Sequence, residues 1–335
     1  LFELVDYLDT FELPWSLRLR LLGNALLLPR GTTAAVEDLR ADTNARHNSR
    51  RSIAYHYDVS NDFYRLWLDP EMVYSCAYFK DAQQPLAEAQ RDKLDYICRK
   101  LRLAPGQRLL DIGCGWGALV SWAARHYGVQ AHGITLSDQQ YEYARERIRR
   151  EGLEDRVRIE LRDYRDLAPS ADYDRIVSVG MFEHIGIANF PTYFDIVRRA
   201  LKPDGLFLNH GVTSDSGWEP STTVRFINRY VFPDAELAPI SDVCTAMEQA
   251  GFELIDMEGL RPHYALTLRR WVAALEQHRE EAIALMGEPT YRLWRLYMAG
   301  TAHYFDRGTS GIYQILAGRV REPLATPLRR DDLYR

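Results

Sequence analysis

Three glycines at alternate positions, Gly113, Gly115 and Gly117, follow directly on the apolar run Leu109-Leu110-Asp111-Ile112 and lead into a stretch with helical patterning. Glycine at that density lets the backbone turn sharply and lets a ligand approach the main chain at the N-terminus of the next helix, so the segment reads as a cofactor-binding turn. Its spacing is G-x-G-x-G, with the third glycine one residue earlier than in the dinucleotide fingerprint, which argues against NAD. A second chemical group is Glu183 in Met181-Phe182-Glu183-His184, just after a predicted strand. A carboxylate at the C-terminal end of a parallel strand sits where doubly wound sheets bind ligands. His210 lies on the next predicted strand, and Cys76 lies in the turn-like segment Tyr74-Ser75-Cys76. The Cys76 thiol is a candidate nucleophile or base, but nothing near it in sequence would depress its pKa, and the same turn could use main-chain groups instead.

The elements that must position these groups alternate between strand and helix. Apolar runs predict strands over 108–112, 129–134, 156–161, 173–180, 206–213, 252–260 and 311–320. Helical spacing predicts helices over 83–103 and 118–127, and a long amphipathic region from Tyr264 to about Phe305. The alternation implies an α/β fold with a mostly parallel sheet of about seven strands. Residues 1–50 form a separate segment of short amphipathic helices, and 51–335 the catalytic domain, with an insertion around 214–245 carrying Trp218, Phe226, Tyr230 and Phe232. Arg46, His47, Arg50 and Arg51 make a basic cluster that reads as a solvated linker or as a phospholipid headgroup contact. The second strand ends in Thr135-Leu136-Ser137-Asp138-Gln139-Gln140, without the usual ribose-binding acid, and Asp138 reads as a helix cap. The turn Asp163-Tyr164-Arg165 is either a charged surface turn or part of a ligand site.

At 335 residues and 46% hydrophobic content the chain can bury a large core. A net charge of −5 gives no general attraction to nucleic acid, and none is expected as a partner. Four cysteines without C-x-x-C pairing and no His/Cys cluster at metal-ligand spacing point to a reducing cytoplasm and to no metal. No apolar run approaches the roughly 18 residues of a membrane span, so the protein is expected to lie on a membrane rather than cross it. The sequence starts at Leu1 rather than methionine, which leaves a preceding segment open.

The glycine turn with Asp111 before it resembles motif I of the class I S-adenosylmethionine (SAM) methyltransferases, whose fold is Rossmann-like. The aromatic segment Tyr55-His56-Tyr57-Asp58-Val59-Ser60-Asn61-Asp62-Phe63-Tyr64, followed by Tyr74-Ser75-Cys76-Ala77-Tyr78-Phe79, is by itself a pattern that more often marks packing than a site. Combined with the glycine turn, it resembles the cyclopropane fatty acid synthase family, which includes the mycolic acid cyclopropane synthases. The resemblance spans residues 51 to about 320, with five motifs in order. It implies SAM as cofactor, with Tyr74, Ser75, Asp111, Gly113, Gly115, Gly117, Thr135 and Gln140 around it, Asp163 accepting from the adenine amine and Tyr164 packing on the ring. It further implies a bound bicarbonate ion as proton acceptor, held by the main chain at Cys76 and by Glu183, His210 and Tyr264. His263 competes with Tyr264 for the last role, and Val212 stands where the family strand usually carries isoleucine.

These readings imply a peripheral membrane enzyme, acting as a homodimer, that converts the cis double bond of an unsaturated phospholipid acyl chain to a cyclopropane. Methyl transfer to an alkene makes a carbocation, which aromatic faces and negative charge can stabilise before a proton is lost from the new methyl. Loss of a different proton would give a methyl- or methylene-branched chain, the nearest alternative. A small-molecule methyltransferase and a non-catalytic SAM-binding scaffold are more distant ones.

Overall fold

The computed structural model describes residues 60–215, 231, 236–324 and 326–334. The expected N-terminal helices, the arginine cluster, residues 55–59 of the aromatic motif, and Trp218, Phe226, Tyr230 and Phe232 lie outside the described residues. The described strands are β1 (Arg108–Ile112), β2 (Gln130–Thr135), β3 (Val157–Leu161), β4 (Tyr173–Val179), β5 (Leu201–Ser214), β6 (Phe252–Gly259) and β7 (Ser310–Arg319). They make one seven-stranded sheet in the order β3-β2-β1-β4-β5-β7-β6. The first five are parallel neighbours, and β7 inserts antiparallel between β5 and β6.

The helices are α1 (Asn61–Arg65), α2 (Leu86–Lys100), α3 (Ala118–Tyr127), α4 (Asp138–Arg150), α5 (Phe190–Ala200), α6 (Ile240–Gln249), α7 (Arg261–Gln277) and α8 (Arg279–Arg307). The central strands are apolar on both faces because helices cover both. Leu109, Val177, Leu206 and Leu208 pack under α2, α3 and α4, whereas Leu110, Ile112, Ile176 and Phe207 pack over α5 and α6. Beyond this three-layer body, α1, the 66–76 segment, α7 and α8 share a second apolar core rich in tryptophan and tyrosine. There Tyr64 packs on Trp116 at 4.9 Å, and Trp67 on Trp271 and Trp294 at 5.5 Å each.

Three expectations are corrected. Ser137, not Asp138, caps α4: its side chain accepts the Gln140 N–H, and Asp138 is the first helical residue. Residues 240–245, expected within the insertion, already form the first turns of α6. The long region after Tyr264 is two helices that part at His278, the second kinked where Gly287 takes φ +81° just before Pro289. A residue in that conformation and a proline both interrupt the helical hydrogen-bond ladder.

Candidate active site

At the C-terminal ends of β1, β2 and β4 the glycine turn opens onto a solvent-connected cavity. A Cβ on Gly113 would lie 2.9 Å from the Met181 Cβ, so the chain can pass there only as glycine. Gly115 is different: φ is +54° and an added Cβ would meet no protein atom within 4 Å, as expected of backbone left bare for a ligand. Of the residues assigned to the cofactor, Tyr74, Ser75, Asp111, Gly113, Gly115, Thr135, Gln140 and Tyr164 line the cavity. Gly117 instead caps α3 from the left-handed region and packs against Ala144.

Local hydrogen bonds fix the walls. Thr135 Oγ1 donates to Gln140 Oε1 at 2.9 Å and accepts the Ser137 N–H at 3.2 Å. Asp163 does not line the cavity; it caps the short turn that follows it and takes a two-pronged bond from Arg165, Nε to Oδ1 at 2.9 Å and Nη2 to Oδ2 at 2.6 Å. The carboxylate expected at the adenine amine is therefore already engaged by a guanidinium. Tyr164 is buried, edge-on to Tyr193 at 5.2 Å.

Among the cavity residues that the sequence did not mark is a buried cation. Lys93 is almost fully buried, and its Nζ donates to Ser75 Oγ at 2.7 Å. Burial pushes its pKa down to about 8, against the pull of Asp69, Cys76 and Asp111. Burial pushes Asp111 up to about 7, with Lys93 acting in the opposite sense. The signal was present: Gln90, Lys93 and Lys100 alternate with Leu86 and Ile97 on one stripe of α2 at helical spacing, and polar residues on a buried stripe must find buried partners.

The second group lies beside the cavity. Cys76 is fully buried, its thiol donates to the Ala77 carbonyl at 3.3 Å, and burial raises its pKa, so it stays a thiol. Glu183 sits in a short helical turn after β4, with Oε1 accepting the Val212 N–H at 3.4 Å and Oε2 buried without a hydrogen-bond partner among the described residues. Burial pushes its carboxyl up to about 7. A Cβ on Gly211 would lie 1.9 Å from the Phe182 ring and 2.9 Å from Glu183 Oε2, so Gly211 is what lets that turn close on β5.

His210 is buried with neither ring nitrogen bonded among the described residues; burial, Lys93 and Lys100 hold its pKa well below the ordinary value, so the ring is neutral. Tyr264 lies in the first turn of α7 against Phe305 at 4.7 Å. Cys76, Tyr264, Val212 and Ile312 share one apolar cluster, Leu260 bonds to Ile312, and Ile312 pairs with Val212. Through Val212 the same cluster reaches Glu183. The competing His263 is engaged elsewhere: Nδ1 accepts the Phe79 N–H at 3.0 Å and the ring stacks on Tyr78.

A doubly wound sheet with an antiparallel seventh strand and a glycine turn beneath a cavity at its carboxyl edge is the class I methyltransferase fold. Within that class the chain matches the mycolic acid cyclopropane synthetase family over residues 44–315, and it belongs to that family. It is 46% identical over 310 residues to a probable fatty acid methyltransferase of Pseudomonas putida, covering 89% of this chain and 78% of that protein. It is 41% identical over 267 residues to the cyclopropane-fatty-acyl-phospholipid synthase of Escherichia coli, covering 79% of this chain and 66% of that one. Among solved structures, a mycolic acid cyclopropane synthase complexed with SAH and CTAB superposes with a TM-score of 0.77 at 35% identity, over 80% of this chain and 97% of that chain. The protein is a SAM-dependent methyltransferase of the cyclopropane synthase type.

Proposed function

We propose that this protein converts the cis double bond of an unsaturated phospholipid acyl chain to a cyclopropane at the bilayer surface, with SAM as donor and bicarbonate as proton acceptor. The observation that carries the reading is a buried Glu183 carboxyl and a buried neutral His210, both with unbonded polar atoms among the described residues, beside the cavity of a cyclopropane-family fold. The fit to SAM rests on the unpartnered Asp111 Oδ1 and the open space over Gly115. Bound there, SAM supplies an electrophilic sulfonium methyl. Tyr74, Ser75, Asp111 and the glycine turn would hold its amino acid end, Thr135 and Gln140 would lie beside it, and Tyr164 would pack on the adenine.

The fit to a small oxyanion is one of donor chemistry. A carboxyl raised to about 7 is about half protonated at neutrality and in that form can donate through Oε2, and a neutral imidazole carries one N–H. The Cys76 main-chain amide and the Tyr264 hydroxyl would complete the set. Aromatic rings near the site, Tyr74 and Trp271 at 5.2 Å from each other, offer negative faces to a developing cation and exclude water. The phospholipid substrate follows the name of the Escherichia coli relative. Attachment to the bilayer and homodimer formation belong to the same reading. The name of the Pseudomonas putida relative, a probable fatty acid methyltransferase, specifies no ring, and the second reading of this site is a methyl- or methylene-branched product.

Incubation with labelled SAM and monounsaturated phospholipid vesicles, followed by mass spectrometry, tests the transfer, and fragmentation or NMR separates ring from branch. Glu183→Gln should leave SAM affinity within about twofold while kcat falls by roughly tenfold or more. Wild-type activity should drop in bicarbonate-depleted buffer and return when bicarbonate is added. A rate indifferent to both manipulations removes bicarbonate and Glu183 from the mechanism.

A further inference from the structure

Helix α2 turns two polar side chains, three residues apart, onto the Tyr74-Ser75 wall of the cofactor cavity. Gln90 Nε2 donates to the Ser75 carbonyl at 3.0 Å, and Lys93 Nζ donates to Ser75 Oγ at 2.7 Å, so Ser75 is gripped through both main chain and side chain. Two carboxylates also act on the Lys93 ammonium, Asp69 and Asp111. Asp69 is committed to the N–H groups of Glu71 and Val73, each at 2.9 Å. Asp111 keeps a buried oxygen without a hydrogen-bond partner among the described residues.

An ammonium is a poor filler for such a place, because desolvation penalises it and an unbranched apolar side chain would pack as well. Its position, however, sets the direction of a neighbouring donor. A serine hydroxyl carries one hydrogen; with Oγ already accepting from Lys93, that hydrogen is turned away from the lysine, and Ser75 lines the cavity.

We propose that Lys93 is a positioning residue for the amino acid end of the cofactor: it orients the Ser75 hydroxyl as a donor to the carboxylate. The inference rests on the reading of this cavity as the cofactor site. It explains why this helix position buries a cation against Ser75.

Two ligands separate this role from a structural one: S-adenosylhomocysteine, which has the amino acid end, and methylthioadenosine, which keeps the nucleoside and sulfur without it. By calorimetry, Lys93→Met should weaken S-adenosylhomocysteine roughly tenfold or more and leave methylthioadenosine within about twofold. In a Ser75→Ala background the same substitution should add less than it does alone, because part of its effect runs through the hydroxyl. Should Lys93→Met not fold, Ser75→Ala alone must show the selective loss. Equal weakening of both ligands, or none of either, overturns the proposal. A wild-type protein that binds neither ligand overturns instead the reading of the cavity on which it stands.

Discussion

Glu183 carries opposite demands of stability and chemistry in one side chain. Its carboxyl has an ordinary value of 4.5 and is pushed up to about 7 by burial, so the fold favours the protonated form. Below pH 4.5 both folded and unfolded chains are protonated there and the contribution is fully present; as pH rises toward 7 only the unfolded chain ionises, and stability is lost. The loss amounts to about 3 kcal/mol by pH 8. Glutamine cannot ionise, so Glu183→Gln should unfold in denaturant with a pH dependence shallower by that amount, its advantage over wild type growing between pH 4.5 and 8. Parallel profiles would mean that Glu183 is solvated in the folded protein. The same substitution is expected to lower kcat, so the residue would be retained at the expense of stability above neutrality.

At the scale of elements, the glycine turn and the β4–β5 junction are both places where a methyl group decides the outcome. Gly115→Val puts a β-branched side chain at φ +54° and fills the space over the turn, so S-adenosylhomocysteine binding should vanish while circular dichroism still reports a folded chain. Retained affinity would place the cofactor elsewhere. Gly211→Ala drives a Cβ to 1.9 Å from Phe182, and the ring must shift with Glu183 beside it. Melting temperature and activity should fall together, with S-adenosylhomocysteine affinity less affected. The central strands were legible as apolar runs, because strands covered on both faces admit little else, whereas the edge strands β3 and β6 interleave charged residues with apolar ones. The antiparallel course of β7 was not legible, since direction depends on how the preceding helices return the chain. Nor was the break at His278, where two helices follow with one intervening residue and no proline. The cavity wall was legible wherever glycine, threonine or tyrosine marks a turn, but Lys93 reads as a surface residue until its stripe on α2 is traced. For Asp163 the local partner was not legible: Arg165 stands two residues away, and only geometry reveals that the two are bonded.

For the whole molecule the open demand is access to substrate. A double bond midway along an acyl chain lies deep in hydrocarbon, and no helix among the described residues is long and apolar enough to cross a membrane. On the proposed function the acyl chain would have to be drawn outward to the cavity, and attachment at the interface would shorten that path. Leucine-rich spacing in residues 1–31 and the positive charge of Arg46, Arg50 and Arg51 supply the chemistry for such attachment, and pairing of two copies would strengthen it. Removal of residues 1–45 is thus expected to leave S-adenosylhomocysteine affinity unchanged, to reduce turnover on phospholipid vesicles roughly tenfold or more, and to reduce turnover on detergent-dispersed substrate far less. On the same reading Arg46, Arg50 and Arg51 would contribute through charge, so added salt should release the full chain from anionic vesicles, because charges at an interface are screened over about 8 Å at physiological ionic strength. Sedimentation with vesicles at rising salt measures this directly. Equal losses of turnover on both substrates would assign the segment to the stability of the fold and leave delivery to the described domain.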